Sequence, residues 1–490
     1  MNVRNLALAA LAVSCRLAWG AEGVEMPKGY PCLGKIKPRA AKDIQASNFS
    51  VGAETMDRDY TIYRHWRTYL GPLGVKKARI QSGWAKTEKA PGKYDWAWLD
   101  EIIPDMAAQG VEPWVCLCYG NPIHPGGGGT GLGGGLPTSE KALKAWDAYV
   151  AAFVERYGKH VDEWEVWNEP RGGVKAAPDY AALLVRTAET LRRVQPKARV
   201  LFAAGGSFDV AYAKAVLEYL QQRGKLALVN EVIYHPYAAN PDSVYEKVRQ
   251  LRDMVEDISE DIGIRQGENG CPSKRGSFGA LSDHDWTERS QAKWALRRLL
   301  GDLGRDIPSS YFALCDMAYQ VTGGGGDSGL GAPADPKRVK INTKGLLAIN
   351  PDRTVHHAKI AYSAVQHLTA VFDDTLKRLP HFPWASEPKL EKASVFGYAK
   401  ADGRQVVTIW LGENAPAEKD FPVRVRLTFA GEGFEKPVYV DLLSGKVYAI
   451  PPGAWSRDRS RYAFHNVPIY DSPILIADLS AIGQIASDED

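Results

Sequence analysis

The stretch Val161-Asp-Glu-Trp-Glu-Val-Trp-Asn-Glu-Pro-Arg-Gly-Gly173 changes character half-way along. Its first half reads as a short strand. Pro170, Gly172 and Gly173 then end that strand abruptly, so Asn168 and Glu169 sit where a strand gives way to a loop. In a parallel α/β fold the chemistry is kept at such points. A carboxyl set between a tryptophan, an amide and a proline is partly desolvated, which suits it to donate a proton near neutral pH. Glu169 is therefore the first candidate catalytic residue. Taken alone, an Asn-Glu-Pro turn is as compatible with a capping glutamate, and the surrounding chain has to decide.

Working outward, strand and helix patterns alternate from Ser50 to about His367. Strand signals fall at residues 50–54, 77–81, 112–119, 163–168, 199–205, 229–235, 263–268 and 310–316. Amphipathic helices are expected between them at 99–109, 143–157, 180–194, 210–223, 244–258 and 287–303. Eight strands in this length predict an α/β chain closed into a (β/α)8 TIM barrel, its active site at the C-terminal ends of the strands. Glycine-rich segments at 125–136 and 322–332 follow the third and eighth strands and are read as loops on the catalytic face. Neither carries the Lys-Ser/Thr pair of a nucleotide-binding loop, and flexible rims of a sugar cleft are the better reading.

After about Leu376 the pattern shifts to short alternating runs at 393–399, 405–411, 423–429, 438–442, 446–450 and 473–477, broken by Pro and Gly. A C-terminal all-β sandwich is expected there. The resulting division is a leader at 1–20, a barrel at 21–375 and a sandwich at 376–490. Gly412-Glu413-Asn414 echoes a barrel motif but follows a strand of the other domain, so it is set aside on context.

A chain of 490 residues, 45% hydrophobic and 24% charged, is globular material with room for one large and one small domain. The net charge is only +3 and no stripe of Lys and Arg is present, which argues against nucleic acid and for an uncharged partner. Fourteen Trp and twenty-two Tyr supply flat faces suited to sugar rings. At the N-terminus, Arg4, the apolar run from Leu6 to Ser14 and Ala18-Trp19-Gly20 ahead of Ala21 read as a secretory signal, giving a secreted or periplasmic protein. Leu11-Ala-Val-Ser-Cys15 is a weaker alternative, a lipoprotein attachment site at Cys15. No later run is long enough to span a bilayer. Cys32, Cys116, Cys118, Cys271 and Cys315 match no zinc or redox spacing, and no metal or cofactor is implied.

The seventh strand signal ends Arg265-Gln-Gly-Glu-Asn-Gly270, again a glutamate at a glycine-flanked turn. Strands four and seven face each other across a barrel mouth, which makes Glu268 the partner of Glu169. Two carboxyls converging at ~5 Å on one glycosidic bond are what double displacement requires, one attacking the anomeric carbon and the other protonating the leaving oxygen.

This constellation resembles clan A of the retaining glycoside hydrolases across nearly the whole barrel, with most similarity to the family 39 and family 5 types. The resemblance implies Glu169 as general acid/base, Asn168 bonding the sugar 2-hydroxyl, and Glu268 as nucleophile. It also implies that Arg79, ending strand two, holds that nucleophile, and that His235-Pro-Tyr237 stands for the clan's His-x-Tyr pair, with Tyr237 bonding Glu268. Glu54 on strand one is a further candidate at the rim. Strand eight of the clan commonly ends in tryptophan, whereas this chain reads Cys315-Asp-Met-Ala-Tyr319. Tyr319, Trp84 and Trp286 are therefore the alternative platforms for the sugar.

The reading that follows is a secreted retaining β-glycosidase acting on a neutral β-linked polysaccharide or oligosaccharide, with endo cleavage of β-1,3-glucan favoured. Exo action as a β-galactosidase, β-xylosidase or β-glucosidase is the alternative. A catalytically silent carbohydrate-binding protein is the alternative of another class, although binding alone needs no paired acid and nucleophile. Neither oligomeric state nor sugar identity is encoded in any motif.

Overall fold

The computed structural model describes residues 24–322, 327–330, 335–431 and 433–487. The leader at 1–20 and Cys15 lie outside the described residues, as does part of the glycine-rich segment at 322–332.

Eight parallel strands close into a barrel: β1 (Phe49–Gly52), β2 (Lys77–Gln81), β3 (Glu112–Leu117), β4 (Glu163–Val166), β5 (Arg199–Ala203), β6 (Glu231–Tyr234), β7 (Gly263–Asn269) and β8 (Ser309–Tyr311). The connecting helices are α1 (Tyr63–Trp66), α2 (Ala97–Ala108), α3 (Glu140–Tyr157), α4 (Ala177–Val194), α5 (Val210–Gln222), α6 (Tyr245–Ile258), α7 (Glu288–Leu303) and α8 (Ile360–Val371). Helix α3 starts where Ser139 accepts a hydrogen bond from the Ala142 amide, and α7 where Thr287 caps the Ser290 amide. Strand β8 is shorter than its sequence signal at 310–316. Beyond Tyr311 the chain leaves the barrel, and Met317–Gln320 pairs instead with Val339–Asn342 in a separate antiparallel ladder.

Period-two alternation fills the barrel interior in layers. Near the N-terminal ends, Arg265 is bonded to Glu163 at 2.6 and 3.0 Å and to Glu231 at 2.5 and 3.0 Å, with Lys77 at 2.6 Å from Glu163. Trp114, Leu201 and Ile233 form an apolar layer. The Arg265 guanidinium lies 4.9 Å from the Trp114 ring centre and that of Arg79 lies 5.7 Å away, so the indole separates two ionic layers. Two residues along β4 from Glu163, Glu165 faces the upper layer, where the candidate site is.

The second domain is a sandwich. One sheet has eight antiparallel strands in the order Lys377–Leu379, Ala393–Ala399, Gln405–Leu411, Ile474–Asp478, Pro437–Asp441, Lys446–Ala449, Cys32–Ile36, Ile485–Ala486. The other has four, in the order Trp384–Glu387, Val423–Ala430, Arg461–Ile469, Trp455–Asp458. Both faces of the larger sheet are covered. Val407, Ile409, Tyr439, Ile474 and Ile476 join the sandwich core, while Val406, Trp410, Val438, Val440, Leu475 and Ala477 join the core of the barrel. That double burial is why these strands read as nearly continuous apolar runs. The division at 375 needs one correction. Residues 32–36, counted with the barrel in sequence, are a strand of the sandwich, between the strands Lys446–Ala449 and Ile485–Ala486.

Helix α7 ties the domains together with a cation at every fourth position. Arg289 meets Asp420 at 2.5 Å; Lys293 meets Asp420 at 2.7 Å and Asp471 at 2.8 Å; Arg297 donates to the Asn414 carbonyl at 2.9 Å. The set-aside Gly412-Glu413-Asn414 belongs to this docking segment, its Gly412 and Glu413 carbonyls accepting from Asn240. Cys116, Cys118, Cys271 and Cys315 are buried thiols and Cys32 is exposed. Among the described residues no helix is long and apolar enough to cross a membrane.

Candidate active site

Strand β4 ends at Val166, and its last ladder contact is replaced by the Trp167 amide donating to the Leu117 carbonyl at 3.0 Å. Trp167 and Glu169 then take left-handed backbone angles, with φ of 65° and 47°. For side chains of this size that conformation is unfavourable, and it persists because the surroundings hold it. It turns Asn168 toward the barrel axis and Glu169 toward β6. Asn168 Oδ1 accepts from Arg79 Nη2 at 2.8 Å, and its Nδ2 donates to the Tyr119 hydroxyl at 2.7 Å. Glu169 Oε1 lies 2.9 Å from His235 Nδ1.

Glu268 arrives from β7 immediately after Gly267. A Cβ at Gly267 would meet the Ile233 Cγ2 at 2.1 Å, so only glycine lets β7 run this close to β6. Glu268 Oε1 accepts from the Tyr237 hydroxyl at 2.7 Å and Oε2 accepts from Arg79 Nη1 at 2.9 Å. His235 Nδ1 is 3.8 Å from Oε2 as well. One carboxylate oxygen each from Glu169 and Glu268 and one His235 nitrogen lie within 4.8 Å of one another. A divalent cation could use that spacing, but the Glu268 oxygen is already held by a guanidinium, whose charge opposes a second cation.

Arg79 is the centre of the cluster. Its Nε and Nη2 make a bidentate pair with Glu165, both at 2.7 Å, and Nη1 also donates to Glu54 Oε1 at 2.8 Å. Side chains of Arg79, Glu54 and Glu165 are fully buried, whereas those of Glu169 and Glu268 are 13% and 11% exposed. The two carboxyls from β4 and β7 are thus the ones a ligand in the mouth can touch.

Three carboxyls against one guanidinium cannot all be ionised cheaply out of water. Burial pushes Glu54 up to about 7; Arg79 pulls it down, and the Glu268 charge adds to the rise. Burial would raise Glu268 too, but His235, Arg79 and the Tyr237 hydroxyl together hold it below the usual carboxylate range. His235 is lowered by burial, yet the charges of Glu268 and Glu169 outweigh this and lift it above its ordinary value. The cluster therefore favours the ionised form at Glu268 and the protonated form at Glu54.

Three loops meet over this mouth at Asp327. It accepts from Arg58 Nη1, from the Tyr60 hydroxyl at 2.5 Å, from the Leu132 amide at 3.1 Å and from the Gly329 amide at 2.9 Å. The loops after β1, β3 and β8 are joined at one buried carboxylate. From there Arg58 Nη2 donates to Gln81 at 2.5 Å, Gln81 to the Tyr119 hydroxyl at 3.4 Å, and Asn168 to that same hydroxyl, which links the loops to the site.

No family model matches the sequence, and comparison with curated proteins finds no match. Solved structures do match. A family 39 glycoside hydrolase from the gut symbiont Bacteroides cellulosilyticus is similar at 17% identity with a TM-score of 0.58, over 88% of this chain and 80% of that one. The chain has the fold of that glycoside hydrolase. A family 39 enzyme from Xanthomonas axonopodis pv. citri matches this fold at 17% identity and a TM-score of 0.55, over 89% and 95% of the two chains. A monomeric β-xylosidase from Caulobacter crescentus matches at 16% and 0.56, over 91% and 98%.

Within the glycoside hydrolase fold, Glu54, Arg79, Asn168, Glu169, His235, Tyr237 and Glu268 converge as described. Tyr319 lies beside them in the Met317–Gln320 strand, its ring 4.8 Å from that of Tyr60 and 5.0 Å from that of Phe278. The two tryptophan platforms are corrected. Trp84 is fully buried, stacked on His124 at 5.3 Å and Tyr149 at 5.9 Å, with Nε1 donating to Glu88 at 2.5 Å. Trp286 is 3% exposed, donates to the Leu281 carbonyl at 2.8 Å and packs on His284. Both are core of the loops and present no open face. Missed in the sequence were Glu165, Tyr119, Arg58 and Asp327. Only Glu165 had a signal: it is two residues from Trp167 on the inward face of a strand whose far end carries the site.

Proposed function

We propose that the protein is a retaining β-glycoside hydrolase that works by double displacement, with Glu268 as nucleophile and Glu169 as general acid/base. The observation that carries this reading is the approach of the two carboxyls to within 4.8 Å, one of them bonded by both Arg79 and Tyr237. That separation leaves no room for a water between carboxyl and sugar, as inversion would need, and fits attack by the carboxylate itself. Glu268 attacks the anomeric carbon while Glu169 protonates the departing oxygen. Glu169 then takes a proton from water as that water opens the glycosyl ester. His235, bonded to Glu169 Oε1 and close to Glu268, is suited to steady the charge as it moves between them. A binding protein with a silent site would have no use for an ionised carboxylate held against a second one.

The substrate is proposed to be a neutral β-linked saccharide. Endo cleavage of β-1,3-glucan, slightly favoured on sequence, is less well supported than exo release of a terminal sugar. The three loops joined at Asp327 wall one side of the mouth, next to Asn168, and a β-xylosidase is among the proteins of similar fold. We further propose export from the cytoplasm, on the leader-like residues 1–20. The test is hydrolysis of a panel of aryl β-glycosides and β-linked polysaccharides, with product length and anomeric configuration followed by proton NMR. A first product that keeps the β configuration and consists of monosaccharide is expected. Early α anomer would overturn double displacement, and long oligosaccharides would restore the endo-glucanase reading.

A further inference from the structure

Lys344 follows the strand Val339–Asn342 and is 1% exposed. Its ammonium makes only long hydrogen bonds, 3.4 Å to the Phe278 carbonyl and 3.5 Å to Asn342 Oδ1. Among the described residues no carboxylate lies within ion-pair distance of it, whereas its neighbour Lys359 meets Asp316 at 2.7 Å. A buried ammonium with no ionic partner is costly, and a fold keeps one where its field is used. This one sits over the face of Tyr237, 5.9 Å from the ring centre. The Tyr237 hydroxyl is in turn the 2.7 Å donor to Glu268 Oε1. A cation over the ring makes the phenol a better donor and attracts the carboxylate beyond it.

We propose that Lys344 is a positioning residue for the nucleophile, a second cation behind Tyr237 that keeps Glu268 ionised and hydrogen-bonded. The inference rests on the proposed role of Glu268. The titratable and charged groups facing Lys344 are Glu268 and Cys271 on and after β7, Tyr237 after β6, and Asp316 after β8, the last already neutralised by Lys359 on the approach to α8. Burial lowers Lys344 to about 8, with Cys271, Glu268 and Asp316 opposing the fall. It is therefore charged through the neutral range and sheds its proton in mild alkali.

The experiment is a carbon NMR titration of the full-length protein labelled at glutamate carboxyls, with the Glu268 resonance assigned by its loss in Glu268→Gln. In Lys344→Met the Glu268 midpoint should rise by about one pH unit, while Lys344→Arg, which keeps the charge, should leave it in place. A lysine with a structural role alone would change the melting temperature of Lys344→Met and leave the Glu268 midpoint unmoved, and that result overturns the proposal. Should Lys344→Met not fold, Lys344→Arg decides: the Glu268 resonance of the unmutated protein should show an inflection near pH 8 that is lost in Lys344→Arg, whose cation does not titrate there, and an inflection common to both overturns the proposal. The titration needs no substrate. Absence of turnover on every β-glycoside would therefore count against the glycosidase reading and not against Lys344.

Discussion

Burial lifts the Glu54 carboxyl, which eases the sharing of the Arg79 guanidinium among three carboxyls. Its folded-state value near 7 lies above that of an exposed glutamate, so the protonated form is favoured by folding. Its contribution to stability is complete at low pH and is lost as pH rises from about 4.5 through 7. Glu54→Gln removes that loss. Denaturant unfolding at pH 5 and pH 8 should find the variant gaining on the wild type at the higher pH, and parallel losses in both would argue that Glu54 is ionised throughout. At the two carboxyls proposed to react, the expectations differ by role. Glu268→Ala should abolish turnover on all substrates. Glu169→Ala should retain the first step for aryl glycosides whose leaving group departs without a proton, and azide should restore its turnover as a β-glycosyl azide. An α-azide product from Glu169→Ala, with a β-azide product from Glu268→Ala, would reverse the two assignments.

The ends of β1, β2, β4 and β7 act as one element through Arg79, and this changes what its removal does. Arg79→Ala takes from Glu54 and Glu165 the only bonded cation they have among the described residues, and from Glu268 one of its hydrogen-bond donors. Breaking a buried ion pair by removing one partner costs about 3–5 kcal/mol, so the variant should lose stability on that scale as well as activity. Denaturant midpoints will test this; an Arg79→Ala protein as stable as wild type would mean that the carboxyls can all take up protons at little cost. The loops at Asp327 form a second such element. Asp327→Asn should weaken the tie by about 2 kcal/mol, less than a fully orphaned charge costs, because Asp57 still faces Arg58 at 3.1 Å. Hydrogen exchange at residues 127–133 should quicken, and the ratio of activity on polymer to activity on aryl glycoside should rise as the mouth opens. An unchanged ratio with faster exchange would separate the loops from specificity.

Barrel and sandwich share a continuous core along the larger sheet and a ladder of buried cations on α7, so the molecule should unfold as a unit. The strand Cys32–Ile36 makes this testable from the far end of the chain, since it pairs with Lys446–Ala449 and Ile485–Ala486. Deleting residues 24–36 exposes a sheet edge in a domain more than 300 residues away in sequence. Calorimetry should then find a lower transition temperature for the whole protein. A barrel that melts unchanged, with the loss confined to a separate small transition, would show that the two domains are only loosely coupled.

The sequence by itself determined the elements and the poles of the site. Period-two and period-3.6 patterns and the turn chemistry at Pro170, Gly267 and Gly270 are local properties, and in a parallel barrel they are enough to place Glu169 and Glu268 at the strand ends that face each other. Arg79, Asn168, His235 and Tyr237 were legible because their motifs end strands two, four and six. The tertiary structure alone decided partner choice. Arg58 finds Asp327 across 269 residues, Lys344 reaches the Tyr237 ring through a ladder outside the barrel, and Glu165 spends its charge on Arg79, none of which any spacing records. Trp84 and Trp286 were misread for the same reason. An indole suits a sugar face and a dry core equally well, and which of the two it meets depends on which loops close over it.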